Sequence, residues 1–268
     1  MSDARELLRC DEVGSATRCV LFDFDGPICR LFPEGSSMDV ADALRRLVTD
    51  LGLADALTEA ERADKDPHVV LRAVHHVLWE SDPKGLGVEV PDPKDLIGKL
   101  DECVTQGELA AALTALPTPG ADALIARLFR SGLRLAVVTN NAPRAADSYL
   151  QNHQLRGFFD AVHGRGADPD LMKPDPDVLH RALADLDLEP ADAVMIGDTP
   201  TDFVAAERAG VRFIGYGRNS EKRARLRNAG AKVVIGSYAP LLEETWSGDG
   251  DGPAGHVVGG AGGVTMSR

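Results

Sequence analysis

From Leu133 onward the chain alternates short aliphatic, β-branched runs with helical stretches. "LRLAVVTN" (133–140) reads as a strand, 143–152 as a helix, "DAVHG" (160–164) as a short strand and 175–186 as a helix. "DAVMIGD" (192–198) is a strand, 200–210 a helix, "RFIGYG" (212–217) a strand, 219–229 a helix and "AKVVIG" (231–236) a last strand. Strands joined by helices of this length cannot pair as hairpins; the pattern predicts an α/β fold, a doubly wound parallel sheet with helices on both faces. The apolar run over 18–24, "RCVLFDF", is expected to join the same sheet.

Between that first strand and the rest of the sheet the pattern is helical. Ser36 and Asp39 open a segment with Val40, Leu44, Leu47 and Leu51 at the helical period; further helices are expected over 67–80 and 94–115. This predicts an inserted, smaller all-helical cap over 30–115, with the core built from 1–29 and 116–246. "LPTPGADA" (116–123) is the proline-bounded return, and a helix starts near Ala121. The glycine-rich stretch 247–268 is expected to be disordered.

Composition narrows the function. Of 268 residues 44% are hydrophobic and 26% charged, enough for a core of normal size, and the formal net charge of −13 argues against nucleic acid as a partner. No apolar run of membrane-spanning length occurs, and the amino terminus is charged from Asp3, so neither a membrane nor a leader is expected. Cys10, Cys19, Cys29 and Cys103 show no C-x-x-C spacing, which suggests reduced thiols and a cytoplasmic location.

Ligands of open parallel sheets sit beyond the carboxyl ends of the strands. The first strand delivers Asp23 and Asp25 there; "AVVTNN" delivers Thr139, Asn140 and Asn141; "MIGDTPTD" delivers Asp198 and then Asp202. "LMKPDPD" places Lys173 in a proline-stopped loop before a helix. Asp23 and Asp25, at i and i+2 on an extended segment, face the same side, so their repulsion needs a cation or a shared proton. Carboxylate oxygens from Asp23 and Asp198 suit Mg²⁺, while a hydroxyl, a helix-start amide and an ammonium suit a phosphoryl group.

Together these residues resemble the four motifs of the haloacid dehalogenase superfamily, in order: Asp23-Phe24-Asp25-Gly26, the strand-end Thr139, Lys173 in "KPDPD", and Gly197-Asp198-Thr199-Pro200-Thr201-Asp202. The resemblance spans about residues 18–244, includes the position of the helical insertion, and implies a Mg²⁺-dependent hydrolase acting on a small phosphorylated metabolite. On this chain it makes Asp23 the nucleophile and a metal ligand. Asp25 becomes the general acid/base, its main-chain carbonyl also on the metal, and Asp198 completes the metal set. It gives Thr139, the Asn140 amide and Gly26 to the phosphoryl group, Lys173 to charge compensation, and Asp202 a supporting role. Dehalogenases of the superfamily generally lack the second acid and the metal; a phosphosugar mutase keeps all four motifs, and a non-catalytic binding protein has no use for the full acid set. Pro27 departs from the Thr or Val often found after D-x-D-G.

In the cap, "PHVVLRAVHHVLWE" (67–80) puts His68, Arg72, His75 and Trp79 on one stripe, with Val70, Val74 and Val77 roughly opposite. The valine face is expected to pack inside the cap. The other stripe is either a solvated face or a reader of an anionic substrate group, with Arg72 the candidate contact.

Overall fold

The computed structural model describes residues 2–8, 17–35, 37–80 and 92–243. The expectations for the glycine-rich stretch, for Cys10 and for Ser36 fall outside them. The elements run α1 (Ser2–Leu7), β1 (Cys19–Phe22), β2 (Cys29–Arg30), α2 (Ser37–Asp50), α3 (Glu59–Ala63), α4 (Pro67–Glu80), α5 (Pro93–Ala112) and β3 (Leu116–Pro117). They continue α6 (Ala121–Arg130), β4 (Arg134–Val138), α7 (Pro143–Asn152), β5 (Ala161–His163), α8 (Asp177–Leu186), β6 (Ala193–Gly197), α9 (Pro200–Ala209), β7 (Arg212–Tyr216), α10 (Ser220–Asn228), β8 (Val234–Ile235) and α11 (Ala239–Leu242).

Six strands form one parallel sheet in the order β5-β4-β1-β6-β7-β8. β1 lies between β4 and β6 and is buried along its whole length, which is why its residues read as a continuous apolar run rather than an alternation. Val20 and Phe22 pack into the core on one face, with Leu124, Leu128 and Tyr149; Cys19 and Leu21 pack on the other, with Leu179, Leu183 and Ala206. The sheet order reverses at β1, so β1 and its neighbours β4 and β6 direct their carboxyl ends into one crevice.

Helices α2, α4 and α5 have a core of their own. Val40, Leu44, Val70, Leu71, Val74, Leu100 and Val104 form a cluster separate from those on the sheet. Val70 and Val74 are fully buried in it and Val77 packs against it, as the valine face of α4 predicted. The two crossings into and out of this helical module carry an unforeseen element. Cys29 and Arg30 of β2 pair antiparallel with Pro117 and Leu116 of β3, tying the two crossings together. Two-residue strands with a proline leave no periodic signal, so sequence pattern alone reads them as loop. No helix among the described residues is long and apolar enough to cross a membrane.

Candidate active site

The turn after β1 is shaped by Gly26. Its φ is +126°, and a Cβ there would lie 2.2 Å from Asp198 Oδ2, so the position accepts only glycine, on both conformational and steric grounds. Thr118 Oγ1 donates to the Gly26 carbonyl at 2.6 Å and the Tyr238 hydroxyl to the Pro27 carbonyl at 2.9 Å. The D-x-D-G-P turn is thereby clamped from two distant parts of the chain, and Pro27 fits it without a backbone N–H.

Asp23, Asp25, Thr139, Asn140, Lys173 and Asp202 line one cleft of about 410 Å³. Lys173 is buried at its base. Its Nζ lies 2.7 Å from Asp23 Oδ1 and 2.6 Å from Asp202 Oδ1 and donates to the Val138 carbonyl at 3.0 Å, so all three ammonium donors are used. Burial alone would favour the neutral amine, yet the two carboxylates hold Lys173 charged well above its ordinary range. Burial pushes Asp23 up to about 7, with Lys173 opposing it. The short contact to a fixed ammonium makes the pair ionic, and any cation added beside it lowers Asp23 further.

Asp202 acts as a support. Its Oδ2 accepts from the main-chain N–H of Asp198 at 3.1 Å and of Thr199 at 3.0 Å, closing a capping box at the start of α9, while Oδ1 holds Lys173. Gly197 lets this carboxylate pack against the strand end, since a Cβ there would sit 2.5 Å from Asp202 Cβ. Asn140 also supports the lysine. Its side chain accepts from Lys173 N at 2.8 Å and donates to the Lys173 carbonyl at 3.1 Å, docking the lysine loop against the β4 loop. Thr139 Oγ1 accepts from Asn141 N at 3.1 Å. Asp25 Oδ1 accepts from Leu31 N at 2.8 Å, and burial, against that N–H, raises its carboxyl above the ordinary range.

The residues fit a divalent cation. Asp23, Asp198 and Asp202 each offer an oxygen within 4.8 Å of the others, all three are buried, and Asp198 Oδ1 has no hydrogen-bond partner. Burial raises Asp198 to about 8 despite Lys222, whose ammonium contacts Asp198 Oδ2. Asp23 and Asp198 are the available ligands, because both Asp202 oxygens are already committed. Lys222 is absent from the motifs read in the sequence. Its signal there is its place in "RNSEK", just past the carboxyl end of β7 on the same rim.

The stripe on α4 divides. Of His68, Arg72, His75 and Trp79 only His68 is among the residues that line the cleft, together with Lys65. Beyond its first turn α4 packs along the core loop that includes Pro169–Leu171, and the Arg72 charge acts on Asp66, which lines the cleft. His68 is engaged by two carboxylates, its Nδ1 3.2 Å from Asp66 Oδ1 and its Nε2 3.0 Å from Glu108 Oε1.

Glu108 is a buried residue supporting the cleft loop that the sequence motifs miss, although its position carries a signal. It falls on the stripe defined by Leu100, Val104 and Ala112, a charge in an apolar row, and it is fully buried. Its carboxylate accepts from Asn141 Nδ2 at 3.0 Å, from the Ala142 N–H at 2.8 Å and from Arg165 Nη1 at 3.0 Å. Arg165 also donates to Asp101 Oδ1 at 2.6 Å and to the Asn140 carbonyl at 3.0 Å. A glutamate of the helical module and an arginine of the sheet module thus cross over and fix the loop 139–142 beside the cleft. Burial opposes Glu108 ionisation but is outweighed by His68 and Arg165, which lower it to about 2; burial of His68 is outweighed by Asp66 and Glu108, which raise it to about 9.

This network has a pH signature. A depressed Glu108 contributes stability present above its ordinary 4.5 and lost as pH falls through about 2. A raised His68 contributes stability complete below 6.5 and lost as pH rises through about 9. Glu108→Ala, which strands buried Arg165 and His68, is expected to cost about 3–5 kcal/mol by denaturant melts at pH 6. Its deficit relative to wild type should shrink between pH 6.5 and 9; a deficit constant over that range would remove His68 from the network.

A sequence profile of the haloacid dehalogenase-like hydrolases matches residues 17–210. A phosphoglycolate phosphatase of Rhodospirillum rubrum is 31% identical over 238 residues, covering 84% of this chain and 89% of the relative. One of Psychrobacter arcticus is 29% identical over 220 residues, covering 75% and 84%. The crystal structure of CbbY from Rhodobacter sphaeroides in complex with phosphate superposes with a TM-score of 0.55 at 24% identity, covering 84% of this chain and 96% of that one, and shows the same fold. The order of the sheet, the acids gathered at its reversal point and these matches agree: the chain belongs to the haloacid dehalogenase-like hydrolases and is a phosphatase of that family.

Proposed function

We propose that the chain is a Mg²⁺-dependent phosphomonoesterase that works through an aspartyl phosphate on Asp23 and takes a small phosphorylated carboxylate of the phosphoglycolate type. The observation that carries the mechanism is the contact between Asp23 and Lys173 at 2.7 Å, with Asp25 on the same cleft and fastened by Leu31. An Asp23 oxygen attacks phosphorus as the ester P–O bond breaks, and the Asp25 proton goes to the leaving alkoxide. Asp25, now a carboxylate, takes a proton from water as that water attacks phosphorus and the P–O bond to Asp23 breaks. Thr139 and the Asn140 amide hold the phosphoryl oxygens, and the Lys173 ammonium, fastened by Asp23, Asp202 and the Val138 carbonyl, offsets the charge of nucleophile and phosphoryl group; both are fixed before the charge develops. Mg²⁺, held by Asp23, Asp198 and the Asp25 carbonyl, would supply further neutralisation of the phosphoryl charge.

The relatives' names support the substrate class, and on its cap side the cleft offers Lys65 between Asp64 and Asp66. Phosphate release from phosphoglycolate, phosphosugars, nucleoside monophosphates and an aryl phosphate tests both parts. Turnover is expected to vanish with chelator, return with Mg²⁺, and be most efficient for phosphoglycolate. Full activity in excess chelator overturns the metal assignment; equal efficiency across the panel overturns the substrate class.

A further inference from the structure

His75 is a residue of the α4 stripe that the catalytic cleft leaves unused. Its side chain is only 8% exposed and stacks on Trp79 with ring centroids 4.4 Å apart. It faces Asp168 and Asp170 of the core loop: Nδ1 is 3.2 Å from Asp170 Oδ2 and Nε2 is 3.7 Å from Asp168 Oδ1. His76 Nε2 approaches the other oxygen of Asp170 at 3.3 Å. One donor atom each from His75, Asp168 and Asp170 lies within 4.8 Å of the others, on the wall of a cavity of about 680 Å³ distinct from the catalytic cleft.

Two arrangements compete for this cluster. As plain ion pairs, His75 would be an imidazolium donating from Nδ1, yet that atom is buried and makes no hydrogen bond despite the nearby carboxylate. A nitrogen that faces a carboxylate oxygen at 3.2 Å without bonding to it has the separation of two ligands sharing one ion, about 3.4 Å for tetrahedral bonds of about 2.1 Å. The chemistry of the set also discriminates. Imidazole nitrogen with carboxylate oxygen suits Zn²⁺, whereas Mg²⁺ prefers oxygen alone. Lys94 and Asp101 also line the cavity; Asp101 is occupied by Arg165.

We propose that His75, Asp168 and Asp170, with His76 as the adjoining donor, form a second cation site that takes Zn²⁺ in preference to Mg²⁺. The site joins α4 of the helical module to the loop that leads into Lys173, so occupancy fastens the two modules together outside the catalytic cleft. The test is calorimetric titration of the full chain with Zn²⁺ in a large excess of Mg²⁺, alongside thermal melts. An Asp198→Asn background removes uptake at the catalytic rim, and Asp168→Asn and Asp170→Asn alter exposed carboxylates of the proposed site. One equivalent of Zn²⁺ is expected to bind in the Asp198→Asn chain and raise its melting temperature, and adding Asp170→Asn or Asp168→Asn should weaken binding about 10-fold or more and abolish the rise. Zn²⁺ uptake that is absent, that disappears with Asp198→Asn alone, or that is unchanged by both loop substitutions overturns the site. None of these outcomes depends on which phosphoester the enzyme cleaves.

Discussion

Asp23→Asn is expected to abolish turnover while leaving the fold intact. The amide keeps the shape of the carboxylate, and its carbonyl oxygen still accepts from Lys173, which Asp202 and the Val138 carbonyl hold in any case. What it loses is the anionic oxygen that attacks phosphorus. Removing the nucleophile from a covalent mechanism costs on the order of 10⁵–10⁶ in kcat, since the remaining groups are left to stabilise a transition state that no longer has an attacking atom. The measurement is phosphate release with an aryl phosphate, together with a search for phosphorylated protein after rapid acid quench. Wild type is expected to give an acid-trapped phosphoenzyme and Asp23→Asn none. Turnover of the variant within about 100-fold of wild type would be a loss fit for a general acid or a positioning group and would sink the nucleophile assignment.

Asp25→Asn separates the second acid from the first. With a poor alkyl leaving group the loss should be about 10²–10⁴, because the alkoxide departs without a proton. An activated aryl leaving group needs no such help, so formation of the aspartyl phosphate should be almost unimpaired and the second step, which relies on Asp25 as base, becomes limiting. The expected result is a burst of aryl alcohol followed by slow turnover, with phosphoenzyme accumulating. Equal losses for alkyl and aryl substrates without accumulation would take the acid/base role away from Asp25. The variant should fold, since an Asn side-chain oxygen can still accept the Leu31 N–H that fastens this position.

The apolar runs and the helical stretches between them determined the sheet, because the residues of β1, β4 and β6, apart from Arg134 at the exposed start of β4, are buried on both faces and must be apolar whatever surrounds them. The rim acids were legible for a related reason. A strand end in such a sheet points into the crevice by construction, so Asp23, Thr139 and Asp198 could be placed from order alone, and Gly26 and Gly197 mark where a Cβ would strike an aspartate. The valine face of α4 was equally readable from its period. Tertiary structure decided what depends on contacts across modules. The stripe of α4 has a direction that periodicity shows, but not a neighbour. Only the packing turns His68 toward Glu108 and brings His75 against Asp168 and Asp170. Glu108 and Arg165 lie far apart in sequence, and Lys222 and Asp198 come from different helix starts. Pairings of this kind form when distant segments bury charge together, a free-energy balance that no local pattern of residues records.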